Sequence, residues 1–330
     1  MTDQERFNGD GLIFSKRYQE TMDRCALPYL QARQKDTVLP GDGGTPLFTS
    51  FFTADAPRGT AMIVHGFTEN AFKFSELIYS LLQNGFNVCA FDQRGHGRSG
   101  REEGMKDDLS LTHVDRFERY ANDLKIVCDA MRPGSPRPWV AFAHSMGGAV
   151  TALLLEQTPG IFDRAALCAP MIAPNCGGMP TAAVGLLCRG EKALGRGKKR
   201  VFISKPYAGP EDFDTSCATS RERFDWYDAV KAARPEFHNN GPTYEWTLES
   251  IKVTKKLLAP GAVERIAIPV RVYGAQEDNS VMPTEQAAFA ARLKNGSREV
   301  IPGSRHEIYR SSDDVLFPWW HQVLAFLKGA

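Results

Sequence analysis

Ser145 stands in the run Ala143-His144-Ser145-Met146-Gly147-Gly148, between an apolar stretch, Trp139 to Ala143, that reads as a buried strand and a stretch from Gly147 to Glu156 that reads as a helix. A serine at a sharp strand-to-helix turn is held in a strained backbone conformation that lifts its Oγ clear of the sheet, ready for nucleophilic attack. Small residues two before and two after it are required because strand and helix nearly touch there. Ala143 and Gly147 meet that need, with Ala143 where glycine is usual. Serine is also a favoured helix cap, so the partners decide between the two roles.

Such a serine needs a general base, and the base needs an orienting carboxylate; in folds with a strand–turn–helix serine of this kind the chain order is serine, then acid, then histidine. Three histidines follow Ser145: His238, His306 and His321. His321 sits among Trp319, Trp320, Val323 and Leu324 and reads as a packed or rim residue. His238 falls in an irregular stretch. His306 lies in the loop Pro302-Gly303-Ser304-Arg305-His306-Glu307, after the last strand-like run, and is the predicted base. For the acid, the run Gly274-Ala275-Gln276-Glu277-Asp278-Asn279 favours Asp278, with Glu277 as its rival. The backbone N–H groups of Phe67, in His65-Gly66-Phe67, and of Met146 are the predicted donors to a developing oxyanion. Asp92-Gln93-Arg94-Gly95-His96-Gly97-Arg98-Ser99-Gly100 has neither Gly-Lys-Ser/Thr nor GxGxxG, so a structural turn is expected there rather than a phosphate loop.

These residues need a scaffold that brings distant segments to one edge. Thr60 to Val64, Val88 to Phe91, Trp139 to Ala143, Ala165 to Cys168 and Ile268 to Tyr273 are uniformly apolar and alternate with helical patterns, such as Phe74, Leu77, Ile78, Leu81 and Leu82. That rhythm predicts a parallel sheet covered on both faces. A further strand is expected at Leu47 to Thr53, and a helical lead-in up to about Gln34. The rhythm breaks from Met171 to Arg265 and then resumes. The expected organisation is one core, 1–170 with 266–330, carrying an inserted cap at 171–265, too long for an ordinary loop.

Composition excludes several functions. The net charge of +1 supplies no global field for nucleic acid. Seven scattered cysteines, without CxxC, argue against both a disulfide framework and a zinc site. No metal or cofactor is expected. The polar start, Met1 to Arg6, does not read as a signal peptide, and no apolar run approaches the ~18–20 residues that span a bilayer. A cytoplasmic protein is expected, with peripheral contact to an anionic inner membrane face through Lys192, Arg196, Lys198, Lys199 and Arg200, with Arg189 close by. In the cap, Trp226, Tyr244 and Trp246 are the aromatics expected to line a substrate groove.

Together, His65-Gly66-Phe67, Asp92 to Arg101, Ala143 to Gly148, Asp278 and Gly303 to Glu307 resemble the α/β-hydrolases of the bacterial lysophospholipase and monoacylglycerol lipase branch. Ser220-Arg221-Glu222-Arg223-Phe224 is similar to the lysophospholipase segment Thr-x-Ser-x-x-Arg-Tyr. Gly241-Pro242-Thr243-Tyr244-Glu245-Trp246 is similar to Gly-Gly-Pro-Thr-Tyr-x-Trp, and Pro28-Tyr29-Leu30 also matches. Asn240 replaces the first glycine of the second segment, and Thr215 and Ala218 replace the usual Asn and Thr. The resemblance implies the α/β-hydrolase fold, a mostly parallel central sheet with helices on both faces and an inserted cap. It further implies cleavage of a lysophospholipid or monoacylglycerol ester through an acyl-enzyme. The alternatives are a small-molecule carboxylesterase, thioesterase or peptidase with the same residues, or a non-catalytic lipid-binding member.

Overall fold

Eight strands form one sheet in the computed structural model, which describes residues 3–329. Met1, Thr2 and Ala330 lie outside the described residues, and with them the first two positions of the polar start. In chain order the strands are β1 Gln34–Pro40, β2 Pro46–Phe52, β3 Gly59–Val64, β4 Phe86–Phe91, β5 Leu111–Thr112, β6 Trp139–His144, β7 Arg164–Cys168, β8 Gly241–Pro242, β9 Val270–Glu277 and β10 Gly296–Arg305. The sheet order is β1-β2-β4-β3-β6-β7-β9-β10; β5 and β8 pair separately. From β4 to β10 every neighbour is parallel, while β1 with β2 and β2 with β4 are antiparallel.

The strands are apolar throughout because both faces are covered. Met62, Val64, Cys89, Phe91, Ala141, Leu167 and Val272 point to one face. There they meet Tyr120, Leu124 and Val127 of the helix Glu118–Met131 and Val150, Leu153 and Leu154 of the helix Met146–Gln157. Their alternates, Ala61, Ile63, Val88, Ala90, Val140, Phe142 and Ala166, meet the helices Ser75–Gln83 and Asp313–Lys328 on the other face. The period of two in a strand sorts these residues, with no polar alternation to reveal it.

Strand β1 was not expected from the sequence. Its run, Gln34-Lys35-Asp36-Thr37-Val38-Leu39-Pro40, is mostly exposed. An edge strand with polar side chains carries no hydrophobic period, and its charges discourage pairing with another chain. Between β7 and β9 lie three α-helices, Thr181–Ala193, Arg221–Ala233 and Tyr244–Leu257. Ser220 and Thr243 start the last two by accepting from the N–H groups of Arg223 and Trp246. This stretch also holds β8, where the sequence offers no strand pattern; two residues suffice to pair with β5. Trp246, Val253 and Leu257 pack into the same core as the sheet, which anchors the third helix. The lead-in packs Tyr18, Met22 and Ala26 against Trp226 and Tyr227 of the second helix.

Between β3 and β6 the connections leave in opposite directions, because β4 lies on one side of β3 and β6 on the other. In open parallel sheets such a switch point opens a crevice at the carboxyl ends of the strands. Gly66, just past β3, and Ser145, just past β6, stand at that edge.

Candidate active site

Ser145 has φ 50° and ψ −117° between β6 and the helix Met146–Gln157. A left-handed φ on a non-glycine residue is strained and persists only where the surroundings impose it. Here they do: the Ser145 N–H donates to the Cys168 carbonyl (3.0 Å), and its own carbonyl accepts from Met171 N (2.9 Å). A Cβ on Gly147 would lie 2.2 Å from the Val64 carbonyl oxygen, and one on Gly148 would lie 2.6 Å from Pro170 Cβ. Helix and strand touch, so only glycine fits.

His306 Nε2 lies 2.9 Å from Ser145 Oγ, and its Nδ1 lies 2.9 Å from Asp278 Oδ2. A carboxylate only accepts, so Nδ1 carries the proton and Nε2 of the neutral ring is left to accept from the serine hydroxyl. Asp278 Oδ1 accepts from the Ser280 and Val281 N–H groups at 2.9 and 3.1 Å. Burial alone would raise the Asp278 carboxyl, but the bond and charge of His306 with these two N–H donors bring it below its ordinary value. Glu277, the last residue of β9, is exposed. Of the two rivals, Asp278 is the one brought to His306. The three groups, far apart in sequence, can pass a proton from Ser145 Oγ to Nε2 while a fixed carboxylate holds the ring.

Gly66 brings the loop after β3 against the serine: a Cβ there would lie 3.0 Å from Ser145 Cβ. Phe67 comes next, its ring 4.0 Å from that of Trp246, and Thr68 has φ 61°. His65 is buried; its Nε2 accepts from Gln93 N–H (2.8 Å), so Nδ1 donates to the Gly66 carbonyl (2.8 Å). The Asp92–Gly100 turn is a brace. Asp92 accepts from Ala71 N–H (2.8 Å) and Arg98 N–H (2.9 Å), and Arg94 is paired with buried Asp123 (2.6 Å).

A cavity of about 470 Å³ opens over Ser145 and His306, lined mainly by apolar side chains including Met171, Val184, Leu187, Val201, Phe202, Tyr244 and Trp246. A hollow of about 520 Å³ lies at the amino ends of the strands, among Arg58, Gly85, Phe86 and Pro138. It is at the wrong edge of the sheet for chemistry at Ser145.

A family model described as serine aminopeptidase, S33, matches residues 55–313. The chain belongs to this family. Lysophospholipase L2 of Escherichia coli K12 is 31% identical over 306 residues, 90% of this chain and 88% of that relative. Monoacylglycerol lipase of Mycolicibacterium smegmatis is 27% identical over 168 residues, 50% of this chain and 57% of that one. The crystal structure of Paleococcus ferrophilus monoacylglycerol lipase has a TM-score of 0.65 at 21% identity, covering 85% of this chain and 98% of that chain, a likeness of fold. This S33-family chain is an α/β-hydrolase of the lysophospholipase and monoacylglycerol lipase branch.

One expectation needs correction in this S33-family chain. Tyr244 and Trp246 line the cavity, but Trp226 does not. It packs between Tyr18 and Phe72 and donates its indole N–H to Asp23 (3.0 Å), joining the lead-in to the second helix. In the basic cluster, Lys192 pairs with Glu245, Arg196 with Glu191, Lys198 with Glu102 and Arg200 with Asp108. The acids come mostly from distant segments, so a run of like charges in sequence is partly offset in space. His321 is exposed at the rim beside Asp10, and His238 stacks on Tyr207.

Sequence reasoning missed the apolar lining: Val184 and Leu187 lie on the helix Thr181–Ala193, where interspersed glycines and alanines obscure the period, and Val201 and Phe202 lie in a stretch outside helix and strand. It also passed over Glu69, whose carboxylate meets the residue before the serine. An acid within a few residues of Gly66, in a segment that turns out to be buried, was the available signal.

Proposed function

We propose that this carboxylic-ester hydrolase cleaves the ester of a single-acyl lipid, a lysophospholipid or a monoacylglycerol. Ser145 is the nucleophile, His306 the general base and Asp278 the acid that orients it. Ser145 Oγ attacks the acyl carbon as His306 takes its proton; the N–H groups of Phe67 and Met146 receive the oxyanion. Collapse expels the head-group oxygen, which takes the proton from His306. A water activated by the same histidine then releases the fatty acid from Ser145. The observation that carries this reading is the Ser145–His306–Asp278 chain opening into a mainly apolar cavity. Residues 171–265 serve as the cap, supplying much of the cavity wall. The names and sequence likeness of the lysophospholipase and monoacylglycerol lipase relatives support the substrate class.

An aminopeptidase would need a free carboxylate for the substrate's ammonium group. The two glutamates lining the cavity, Glu69 and Glu307, are both engaged in buried ion pairs, with Lys73 between them. That disfavours the peptidase reading. Each buried acyl methylene contributes roughly 0.8 kcal/mol, so medium and long acyl esters are expected to exceed acetyl esters in kcat/KM. A single cavity also favours one chain over two. Acid release from a panel of lysophospholipids, monoacylglycerols, diacyl phospholipids and nitrophenyl esters tests this. Highest kcat/KM on acetate, or equal values on mono- and diacyl lipids, would replace it with a small-ester hydrolase.

We also propose that the cavity mouth rests on lipid. Leu186, Leu194, Phe202 and Ile203 are 64–69% exposed, with Met179 and Leu187 beside them; Met179, Leu187, Phe202 and Ile203 also line the cavity. An exposed apolar patch at a pocket rim marks an interaction site. Since the cations are mostly paired, apolar contact rather than charge is expected to dominate. Among the described residues no helix is long and apolar enough to cross a membrane. Phe202→Asp with Ile203→Asp should abolish co-flotation with phosphatidylcholine vesicles, which salt should barely alter. Undiminished flotation of that variant would refute the contact.

A further inference from the structure

Glu69 is buried just beyond the loop that follows β3. Its Oε2 accepts from the Gly66 N–H (2.5 Å) and lies 2.9 Å from His144 Nδ1; its Oε1 accepts from the Tyr309 hydroxyl (2.5 Å) and from Lys73 Nζ (3.2 Å). The other nitrogen of His144, Nε2, lies 3.2 Å from the carbonyl oxygen of His306. A carboxylate and a carbonyl are both acceptors only. For both contacts to be hydrogen bonds, both ring nitrogens must carry protons, and the ring is then an imidazolium.

The electrostatics agree with the geometry. Burial by itself would lower the pKa of His144, but the charge of Glu69 and the bond to it raise the ring above its ordinary value. Burial would likewise raise Glu69, yet His144 and Lys73 hold it well below the usual carboxylate range. A charge inside a protein is tolerated when it is paired and hydrogen-bonded, and this one is.

Three segments meet on this pair. Gly66 leads to Phe67, His144 precedes Ser145, and the carbonyl bound by His144 belongs to His306 itself. We infer that Glu69 and His144 form a buried ion pair that positions the reaction centre, tying the oxyanion loop, the nucleophile turn and the base loop into one rigid unit. This rests on the reading of Ser145 as nucleophile and His306 as base. Neither residue touches the reacting atoms; both act through their neighbours. The pair joins the segment after β3 to the end of β6 at the sheet's carboxyl edge and reaches the His306 loop through its carbonyl, the arrangement needed where a 1 Å error in placement can cost on the order of 100-fold in rate.

Two measurements test it. The first uses the wild-type protein: nitrogen-15 spectra of labelled histidine should show His144 with both ring nitrogens protonated at neutral pH, and a neutral ring would overturn the inference. The second is a cycle of Glu69→Gln, His144→Gln and the double variant, each checked for folding by thermal unfolding. Each single change is expected to lower kcat by ~10–100-fold with KM changed by no more than about threefold. The proton in the His306–Asp278 hydrogen bond should shift in the proton spectrum. Because the two act as a unit, the double variant should fall no further than the worse single one, to within about twofold. Folded single variants with wild-type kcat, or losses that add in full, would overturn the inference. If wild-type protein releases no acid from any ester, the functional reading fails instead, and the nitrogen spectra still judge the ion pair.

Discussion

Replacing Ser145 with alanine is expected to lower turnover by ~10⁴–10⁶, the range seen when a member of such a catalytic unit is lost, while the protein stays folded. The change deletes one oxygen, Oγ, whose partner is His306 Nε2 at 2.9 Å. It leaves the backbone at φ 50° in the grip of the Cys168 and Met171 hydrogen bonds, which do not involve the side chain. Alanine at this position fills no new space and empties almost none. The cavity and its wall remain, so the variant should still bind the acyl ester. Steady-state hydrolysis, with thermal unfolding of both proteins, checks the two halves of the expectation. A folded Ser145→Ala protein with a tenth of wild-type activity would remove Ser145 from the mechanism.

Asp278→Asn should cost ~10⁴ in kcat, whereas Glu277→Gln should stay within a few-fold of wild type. Asp278 Oδ1 is already held by the N–H groups of Ser280 and Val281, so the oxygen facing those donors has little freedom to change places. An asparagine kept in that orientation turns its NH₂ toward His306 Nδ1. Nδ1 must then be the bare nitrogen and Nε2 the protonated one, which cannot take the serine proton. Glu277 makes no such contact; it is exposed at the end of β9. The ratio of kcat/KM between the two variants is the measurement. A reversed order would transfer the role to Glu277 and place the loop's working geometry one residue away from that described.

The sequence by itself determined what is local. A serine flanked by residues small enough for a strand–helix contact, apolar runs long enough for buried strands and the helical patterns between them are consequences of backbone geometry and burial within a few residues. They were legible without a partner. Only the tertiary structure decided what depends on direction across long separations. Asp278 and Glu277 are neighbours with the same chemistry, and what separates them is how β9 ends against a histidine loop 28 residues later. Trp226 looked like Tyr244 and Trp246 until its helix was seen to turn that ring toward Tyr18 and Phe72. The basic run is partly offset by acids as distant as Glu102 and Asp108, and β1 exists because β2 offers it an edge. Glu69 meets His144 across 75 positions, a contact no spacing announces. Propensity and period act along the chain, whereas side-chain pairing is set by which surfaces the packed core leaves face to face.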